Sequence, residues 1–355
     1  MRLPSLLSYL ALAGLVSAHG EFVPANNDDL AKYNREIQAR SVAARKCSST
    51  ISNSKTRRMV SRRDRLARRQ APPFPTGPFP TGPFPTEFPP GFPTDFPGFP
   101  GGPGGANPTG TPGTYTGPTA TYAPEAAPHY NGGLDNATCV LHPETVEGPY
   151  YIRGEQVRTD LREDQGGIPL ILDIGVLDIE TCQPISNAFV ELWNCNSTGF
   201  YGGYSGMFGA PDAVHKESFL RGGYFTNDDG VVEITTLYPG FYQGRTTHIH
   251  AMVHTNWAAR DNGTLVSDAG SVNHIGQFFF EESWNDKVFA EEPYKSNTQI
   301  RTLNSQDGIL QGAGPNAFVE INYLEDENLA GGVVGYITVV VNKTVSYVIN
   351  NQNQL

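Results

Sequence analysis

The feature that most constrains the fold is a series of short apolar runs beyond residue 134. They are rich in Val, Ile, Phe and Tyr, and they read LILDIGVLDI, AFVELW, VVEITTL, HIHAMV, IGQFFF, AFVEINY and YITVVV. Turn-forming segments such as QPIS, NDDG, YPG and DNG separate many of them. Short strands at this spacing, without a long amphipathic helix between them, are typical of an all-β sandwich. We therefore predict one β-sandwich domain over residues 131–355, which is long enough to bury a core.

The first third of the chain has a different texture. Residues 1–18 combine one early arginine, an apolar run and small residues at the end, which predicts a secretory signal peptide. Residues 19–69 are polar and basic, and their spacing is compatible with a helix around residues 30–44. Three dibasic pairs close this segment: Arg57-Arg58, Arg62-Arg63 and Arg68-Arg69. We interpret it as a propeptide that a dibasic-specific protease removes, leaving Gln70 as the new N-terminus; an uncleaved basic helix is the alternative.

Residues 70–130 form a Pro/Gly-rich linker in our interpretation. The repeat PFPTGPFPTGPFPTEF cannot bury a core and favours extended polyproline geometry. An inert, disordered tether is the simplest reading. Phenylalanines at regular intervals also raise the alternative of weak adhesion to aromatic polymers or cell-wall material.

Charge is distributed unevenly and excludes one class of partner. Residues 1–69 hold 14 of the 25 basic residues and 5 of the 36 acidic ones, so the remainder carries a net charge of −20. Such an acidic body repels a phosphate backbone, and we expect no nucleic-acid partner. No later stretch is apolar for long enough to cross a bilayer, so we expect no membrane partner either. Four Asn-Xaa-Ser/Thr sequons, at Asn136, Asn196, Asn262 and Asn342, fit a secreted, extracellular glycoprotein.

The four cysteines suggest a disulfide, since an oxidising compartment permits pairing. The run NAFVELWN between Cys182 and Cys195 is strand-like and would hold these two residues too far apart to bond. We therefore expect Cys139 to pair with Cys182. Cys47, if it has no partner, would leave with the propeptide.

The run RTTHIHAMVH carries the chemistry. His248 and His250 alternate with Ile249, so on a strand both imidazoles point to the same face. Tyrosines precede them in NSTGFYGGYSG and LYPGFYQG. Two imidazoles and two phenolate oxygens can hold one metal ion, and phenolate, a hard anionic donor, favours ferric iron over zinc.

Neighbouring residues leave alternatives open. His254 shares the period-two face of the histidine pair, and it is either a third ligand or a core or supporting histidine. Tyr204 is a rival to Tyr201 for the ligand role. Trp193 is predicted to pack between the two sheets.

The motifs WNCNSTGFY, FLRGGYFTNDDG, LYPGFYQGRTTHIH and GQFFFEE, preceded by PETVEGPYY, carry a family resemblance as an ordered set. Together they resemble the intradiol ring-cleavage dioxygenases, ferric enzymes that open catechols between the two hydroxyl-bearing carbons. The resemblance covers about residues 139–280. It is closest to a secreted fungal branch of the family, which shares the cysteine placements and the arginine-rich leader.

The resemblance implies a β-sandwich of intradiol dioxygenase type and one Fe(III) per chain. The implied metal ligands are Tyr201, Tyr242, His248 and His250. The implied catalytic residues are Tyr242, which would leave the metal and act as a base, Arg245 beside the substrate, and Gln277 in the pocket wall. Pro149, Tyr150 and Tyr151 are implied to line the substrate entrance.

The expected function is therefore cleavage of catechol-type diols with dioxygen to muconate-type diacids. Two alternatives remain: a non-catalytic wall or adhesion protein on a Pro/Gly stalk, and a copper oxidase that uses the same four side chains. Only Gln243 and Gly244 separate Tyr242 from Arg245, whereas well-known bacterial family members carry a longer loop, and the shorter one would admit bulkier catechols. The helical dimerisation segment of the catechol-specific enzymes is also missing, so oligomeric form does not transfer.

Overall fold

The computed structural model of the chain describes residues 47–70, 114–115, 147–204, 216–313, 317–325 and 327–354. The predicted signal peptide, most of the predicted propeptide and linker, Cys139 and Asn136 lie outside these ranges. Their assignments, like the predicted domain boundaries, therefore stay predictions. No helix among the described residues is both long enough and apolar enough to cross a bilayer.

Ten strands and three α-helices make up the regular structure of the described residues. The strands are β1 (Thr114–Tyr115), β2 (Pro169–Asp178), β3 (Phe189–Trp193), β4 (Arg221–Phe225), β5 (Val231–Leu237), β6 (His248–Thr255), β7 (Ala259–Arg260), β8 (Ser271–Phe279), β9 (Glu320–Tyr323) and β10 (Val333–Val341). The helices are α1 (Ser48–Gln70), α2 (Glu282–Phe289) and α3 (Gly308–Ala313). Single 3-10 turns occur at Tyr294–Ser296, Asn304–Gln306 and Leu329–Gly331.

Two four-stranded sheets form the predicted β-sandwich. Sheet I has the order β5-β2-β10-β9, and sheet II has the order β4-β3-β6-β8. All neighbours in sheet II are antiparallel, whereas β2 and β10 in sheet I pair in parallel. The short strands β1 and β7 pair with each other. The fold class predicted from the short apolar runs is confirmed.

The main core lies between the sheets and follows the period-two alternation of the strands. Strand β2 contributes Leu170, Leu172, Ile174 and Val176, all buried in one cluster with the inward residues of sheet II. Strand β6 contributes Ile249, Ala251 and Val253 to the same cluster. Because the core takes the odd-numbered residues of β6, its even-numbered residues, the histidines among them, face away from the sandwich centre.

Strand β3 corrects the prediction for Trp193. Val190 and Leu192 enter the core between the sheets, but Trp193 belongs to a second buried cluster on the opposite face of sheet II. There its ring stacks on the His250 imidazole, with centroids 4.9 Å apart and planes within 5° of parallel. The prediction was wrong because both faces of this strand are buried. An apolar residue in it can therefore face either the core between the sheets or the second cluster.

The disulfide prediction is also wrong. Cys182 bonds to Cys47, across a separation of 135 residues, and not to Cys139. Helix α1 begins directly after Cys47 and packs on the outer face of sheet I, which brings the two sulfur atoms together. Cys195 has a free thiol, and burial raises its pKa to about 12, so it is protonated and unreactive at neutral pH.

Candidate metal centre

Three segments supply the four predicted ligands on the outer face of sheet II. His248 and His250 stand on β6, where the alternation with the core residue Ile249 puts both rings on one face. Tyr201 follows β3, and Tyr242 lies between β5 and β6. All four side chains are buried.

The donor atoms of these side chains converge on a single point. His248 Nε2 lies 3.3 Å from the Tyr201 hydroxyl, 3.2 Å from the Tyr242 hydroxyl and 3.2 Å from His250 Nε2. Adjacent ligands of an ion bound at about 2.1 Å are separated by roughly 3.0–3.4 Å, so this spacing fits a mononuclear metal site. The structure thus brings together the two tyrosines and two histidines that the sequence singled out.

A backbone contact orients the His248 ring for metal binding. Its Nδ1 lies 2.6 Å from the carbonyl oxygen of Thr246, an acceptor that requires a proton on Nδ1. The lone pair is then on Nε2, which faces the other three donors. Fixing the tautomer through the far nitrogen is how metal-binding histidines are held.

The chemistry of the tyrosines also favours a bound cation. Burial raises the pKa of Tyr201 well above its ordinary value, and proximity to Tyr242 raises it further. Burial likewise raises the pKa of Tyr242, although Arg245 opposes that shift. Two adjacent buried phenols therefore stay protonated unless a strong positive charge compensates their anions. A highly charged metal ion at the convergence point would supply that charge, so the residues present fit ferric iron.

Arg245 lies beside this centre in a buried ion pair. Its Nε donates to Asp307 Oδ2 at 2.9 Å, and its Nη2 donates to Gln277 Oε1. Burial opposes the guanidinium charge, but Tyr242 and Asp307 outweigh it and raise the pKa of Arg245. The pairing of β6 with β8 places Gln277 directly opposite His250. The structure thus brings Arg245 and Gln277 together beside the histidine pair, and their implied roles toward a substrate stay predictions.

The three residues that were predicted to line the substrate entrance make different contacts. The Tyr150 ring stacks on the Tyr201 ring at a centroid distance of 4.4 Å and meets Tyr242 edge-on at 6.1 Å. The Tyr151 hydroxyl instead donates to Glu191 at 3.2 Å, and its ring packs on Trp193, behind His250. The backbone carbonyl of Pro149 accepts from the Asn351 amide at 3.4 Å. Tyr150 therefore touches the two candidate ligand tyrosines, whereas Tyr151 packs on Trp193, which in turn stacks on His250.

The two alternative ligands lie elsewhere. The Tyr204 hydroxyl donates to the Tyr151 carbonyl oxygen at 2.9 Å and accepts from the Asn353 amide at 2.9 Å. His254 Nε2 lies 2.8 Å from the buried carboxylate of Glu191. These contacts favour supporting roles for Tyr204 and His254.

Comparison with known proteins identifies the family of this chain. The family model Dioxygenase_C, described as a dioxygenase, matches residues 146–323, which is half of the chain. The chain belongs to the intradiol ring-cleavage dioxygenases.

Two dioxygenase structures agree with this family assignment. An intradiol ring-cleavage dioxygenase from Tetranychus urticae is 31% identical, with a TM-score of 0.50, and the match covers 59% of this chain and 98% of that one. A second dioxygenase crystal structure is 32% identical, with a TM-score of 0.51 and the same coverage.

A curated relative matches over a shorter stretch. Catechol 1,2-dioxygenase from Acinetobacter baylyi is 33% identical over 115 residues, which is 31% of this chain. The match spans about a third of that relative's length, 34%.

Sequence reasoning missed three residues that complete the site of this intradiol dioxygenase family member. Asp307 accepts from Arg245, but it lies 62 positions downstream in a segment with no motif. Thr246 orients His248 through a backbone carbonyl, which any residue could supply. Gly148 has a φ of +76°, and an added Cβ would lie 2.9 Å from His250 Cε1. Its position in the EGPYY motif was the one available signal.

Proposed function

We propose that this protein is a secreted, ferric-iron-dependent intradiol dioxygenase that cleaves catechol-type diols to muconate-type diacids. The observation that carries the proposal is the convergence of Tyr201, Tyr242, His248 and His250 on one point in a chain of this family. The named relatives, a catechol 1,2-dioxygenase and an intradiol ring-cleavage dioxygenase, support the same substrate class.

Ferric iron, one per chain, is the metal that this donor set suits best. Two phenolates are hard anionic ligands, and together with two imidazoles they leave a trivalent ion with a small residual charge. When bound, ferric iron supplies Lewis acidity that draws electron density from a catecholate and makes it reactive toward dioxygen.

The protein's own residues bind and deprotonate the catechol in this proposal. Tyr242 accepts one of the two substrate protons at its phenolate oxygen and so acts as the base. The family resemblance implies that Tyr201 stays in place, and Tyr150 stacks on its ring. Burial of all four donors keeps bulk water away from the reacting carbons.

Arg245 stabilises negative charge that develops on the substrate. Asp307 and Gln277 hold the guanidinium group from two sides, so its orientation is set before substrate binds. A guanidinium cannot give up its proton under these conditions, which suits it to electrostatic stabilisation and not to proton transfer.

Secretion is the second part of the proposal. The signal-peptide pattern in residues 1–18 and the sequons support an extracellular location. Within the described residues, Asn262 lies exposed in a turn between β7 and β8, as a glycan attachment site requires.

Dioxygen uptake by the purified, iron-loaded protein over a panel of catechols tests the function. We expect one dioxygen consumed per catechol and a product heavier than the substrate by two oxygen atoms. Replacing natural dioxygen with ¹⁸O₂ should add both labelled atoms to the product. An iron-loaded protein that consumes no dioxygen with any catechol favours the adhesion alternative. For protein purified without added metal, a cupric signal in electron paramagnetic resonance, in place of high-spin ferric iron, favours the copper alternative.

A further inference from the structure

Helix α1 packs on the outer face of sheet I through a fully buried arginine. Arg58 Nη1 contacts Asp173 Oδ1 at 2.6 Å, and Nη2 donates to Thr338 Oγ1 at 2.9 Å. Both charged side chains of the Arg58–Asp173 pair are 0% exposed. A Cβ added at Gly175 would lie 3.1 Å from the guanidinium group, so this glycine leaves the space in which Arg58 sits.

Two further ion pairs and an apolar cluster extend the contact along the helix. Arg62 pairs with Glu233 of β5, with both side chains largely buried, and Lys55 pairs with Glu320 of β9. At the start of the helix, an apolar cluster joins α1 to the ends of β2 and β10. Its members are Cys47, Ile51, Leu177, Ile179 and Val340.

Removal of the helix would break these ion pairs and uncover the apolar cluster at its start. The carboxylate of Asp173 is buried beneath α1, so its buried ion pair with Arg58 would be lost as well. The Cys47–Cys182 disulfide also links the start of the helix covalently to the turn after β2. These contacts are those of a domain element and not of a segment that is discarded.

The same contacts distinguish the three dibasic pairs. An endoprotease that reads paired arginines needs extended backbone and free access to both side chains. Arg58 and Arg62 lie in the middle of the helix, and their side chains are buried against sheet I. This burial protects the first and second pairs from the protease. Arg68-Arg69 lies in the last turn of α1, and helix ends open at a low free-energy cost.

We propose that a dibasic-specific secretory endoprotease hydrolyses the Arg69–Gln70 peptide bond and that α1 nevertheless remains in the mature protein. Hydrolysis consumes one water molecule and leaves a carboxylate on Arg69 and an amino group on Gln70. The Cys47–Cys182 disulfide is unchanged by this step. The product is a two-chain protein in which the chain ending at Arg69 is held to the sandwich by one disulfide and the buried ion pairs.

This inference rests on the secretory route of the proposed function but not on the metal centre. Helix α1 covers sheet I, whereas the candidate ligands stand on the outer face of sheet II. A mass measurement on the intact protein therefore tests it separately from any assay of activity.

The experiment is intact-mass analysis of the full-length chain after secretion from a eukaryotic host, before and after reduction. We expect one non-reduced species that contains α1, and reduction should split it into a fragment ending at Arg69 and a fragment beginning at Gln70. Iodoacetamide added without reductant should leave Cys182 unmodified.

Three outcomes would overturn the proposal. They are loss of the fragment that contains α1 from the non-reduced protein, cleavage after Arg58 or Arg63, and an uncut single chain. The matched control is the double variant Arg68→Ala/Arg69→Ala, which should yield the uncut chain with the same disulfide. If this variant is still cut between residues 69 and 70, a protease of another specificity acts there and the proposal fails.

Discussion

Asp307 Oδ2 accepts a 2.9 Å hydrogen bond from Arg245 Nε and a 2.8 Å hydrogen bond from the backbone N–H of Thr246. Its other oxygen accepts from the backbone N–H groups of Ile309 and Leu310, at the start of α3. One buried carboxylate thus connects the start of α3 to Arg245 and Thr246, which lie three and two positions before the candidate ligand His248.

This contact predicts that Asp307→Asn slows turnover without removing the metal. An amide cannot accept at both oxygen positions, so Arg245 loses its fixed orientation, and we expect kcat to fall by about 10–100-fold. The visible absorption of the iron-loaded protein should stay as in the unmodified protein. Steady-state kinetics and the spectrum together measure the effect. Asp286→Asn, which breaks the exposed ion pair with Arg301, is the control; equal kcat in the two variants would contradict a positioning role.

Gly148→Ala is predicted to weaken metal binding through His250. The added methyl group would lie 2.9 Å from His250 Cε1, so the ring must move away from the convergence point. Gly263→Ala is a matched control, because its φ of +80° imposes a similar backbone strain of about 1 kcal/mol while nothing lies within 4 Å of the added Cβ. Ferric titration should show an affinity loss of about tenfold or more for Gly148→Ala alone. A similar affinity in both variants would mean that Gly148 does not constrain His250.

The raised pKa of Glu155 predicts that the free energy of unfolding declines as the pH rises. Burial raises its pKa from 4.5 to about 8, although Arg221 opposes the shift from 3.3 Å away. Because the folded chain holds a proton that the unfolded chain has lost, this group stabilises fully below pH 4.5 and progressively less up to about pH 8. Urea unfolding at several pH values should show a shallower decline for Glu155→Gln. A variant as pH-sensitive as the unmodified protein over this range would contradict the assignment.

The Cys47–Cys182 disulfide predicts a large stability loss when it is removed. It links residues 135 positions apart, so Cys47→Ser/Cys182→Ser should lower the free energy of unfolding by about 2–5 kcal/mol. The absorption of the iron-loaded site should not change, because α1 and the four candidate metal ligands lie on different sheets. Urea unfolding with and without reductant supplies the control. Reductant should destabilise the unmodified protein and leave the double variant, which retains Cys195, unaffected.

Local patterns sufficed for the strands and the histidine pair. Period-two alternation around Ile249 places His248 and His250 on one face whatever the rest of the chain does. The two tyrosines could be added only through the ordered motifs of the family, since nothing local shows that residues 41 positions apart meet at His248.

Long-range packing decided the features that the sequence did not reveal. Cys47 finds Cys182 because Arg58 docks α1 onto Asp173, and no spacing rule encodes that docking. Asp307 reaches Arg245 only after α2 and the two 3-10 turns that follow it have brought the chain back toward sheet II. The orientation of Trp193 is ambiguous in sequence, because sheet II buries both of its faces.

The most direct test of the account is ferric titration followed by visible absorption, on the unmodified protein and on Tyr201→Phe, Tyr242→Phe and the double variant. We expect one iron per chain and a tyrosinate-to-iron absorption band that each single variant alters and the double variant abolishes. Full band intensity in the double variant, or no band in the iron-loaded unmodified protein, would contradict a metal centre built on these two phenolate oxygens.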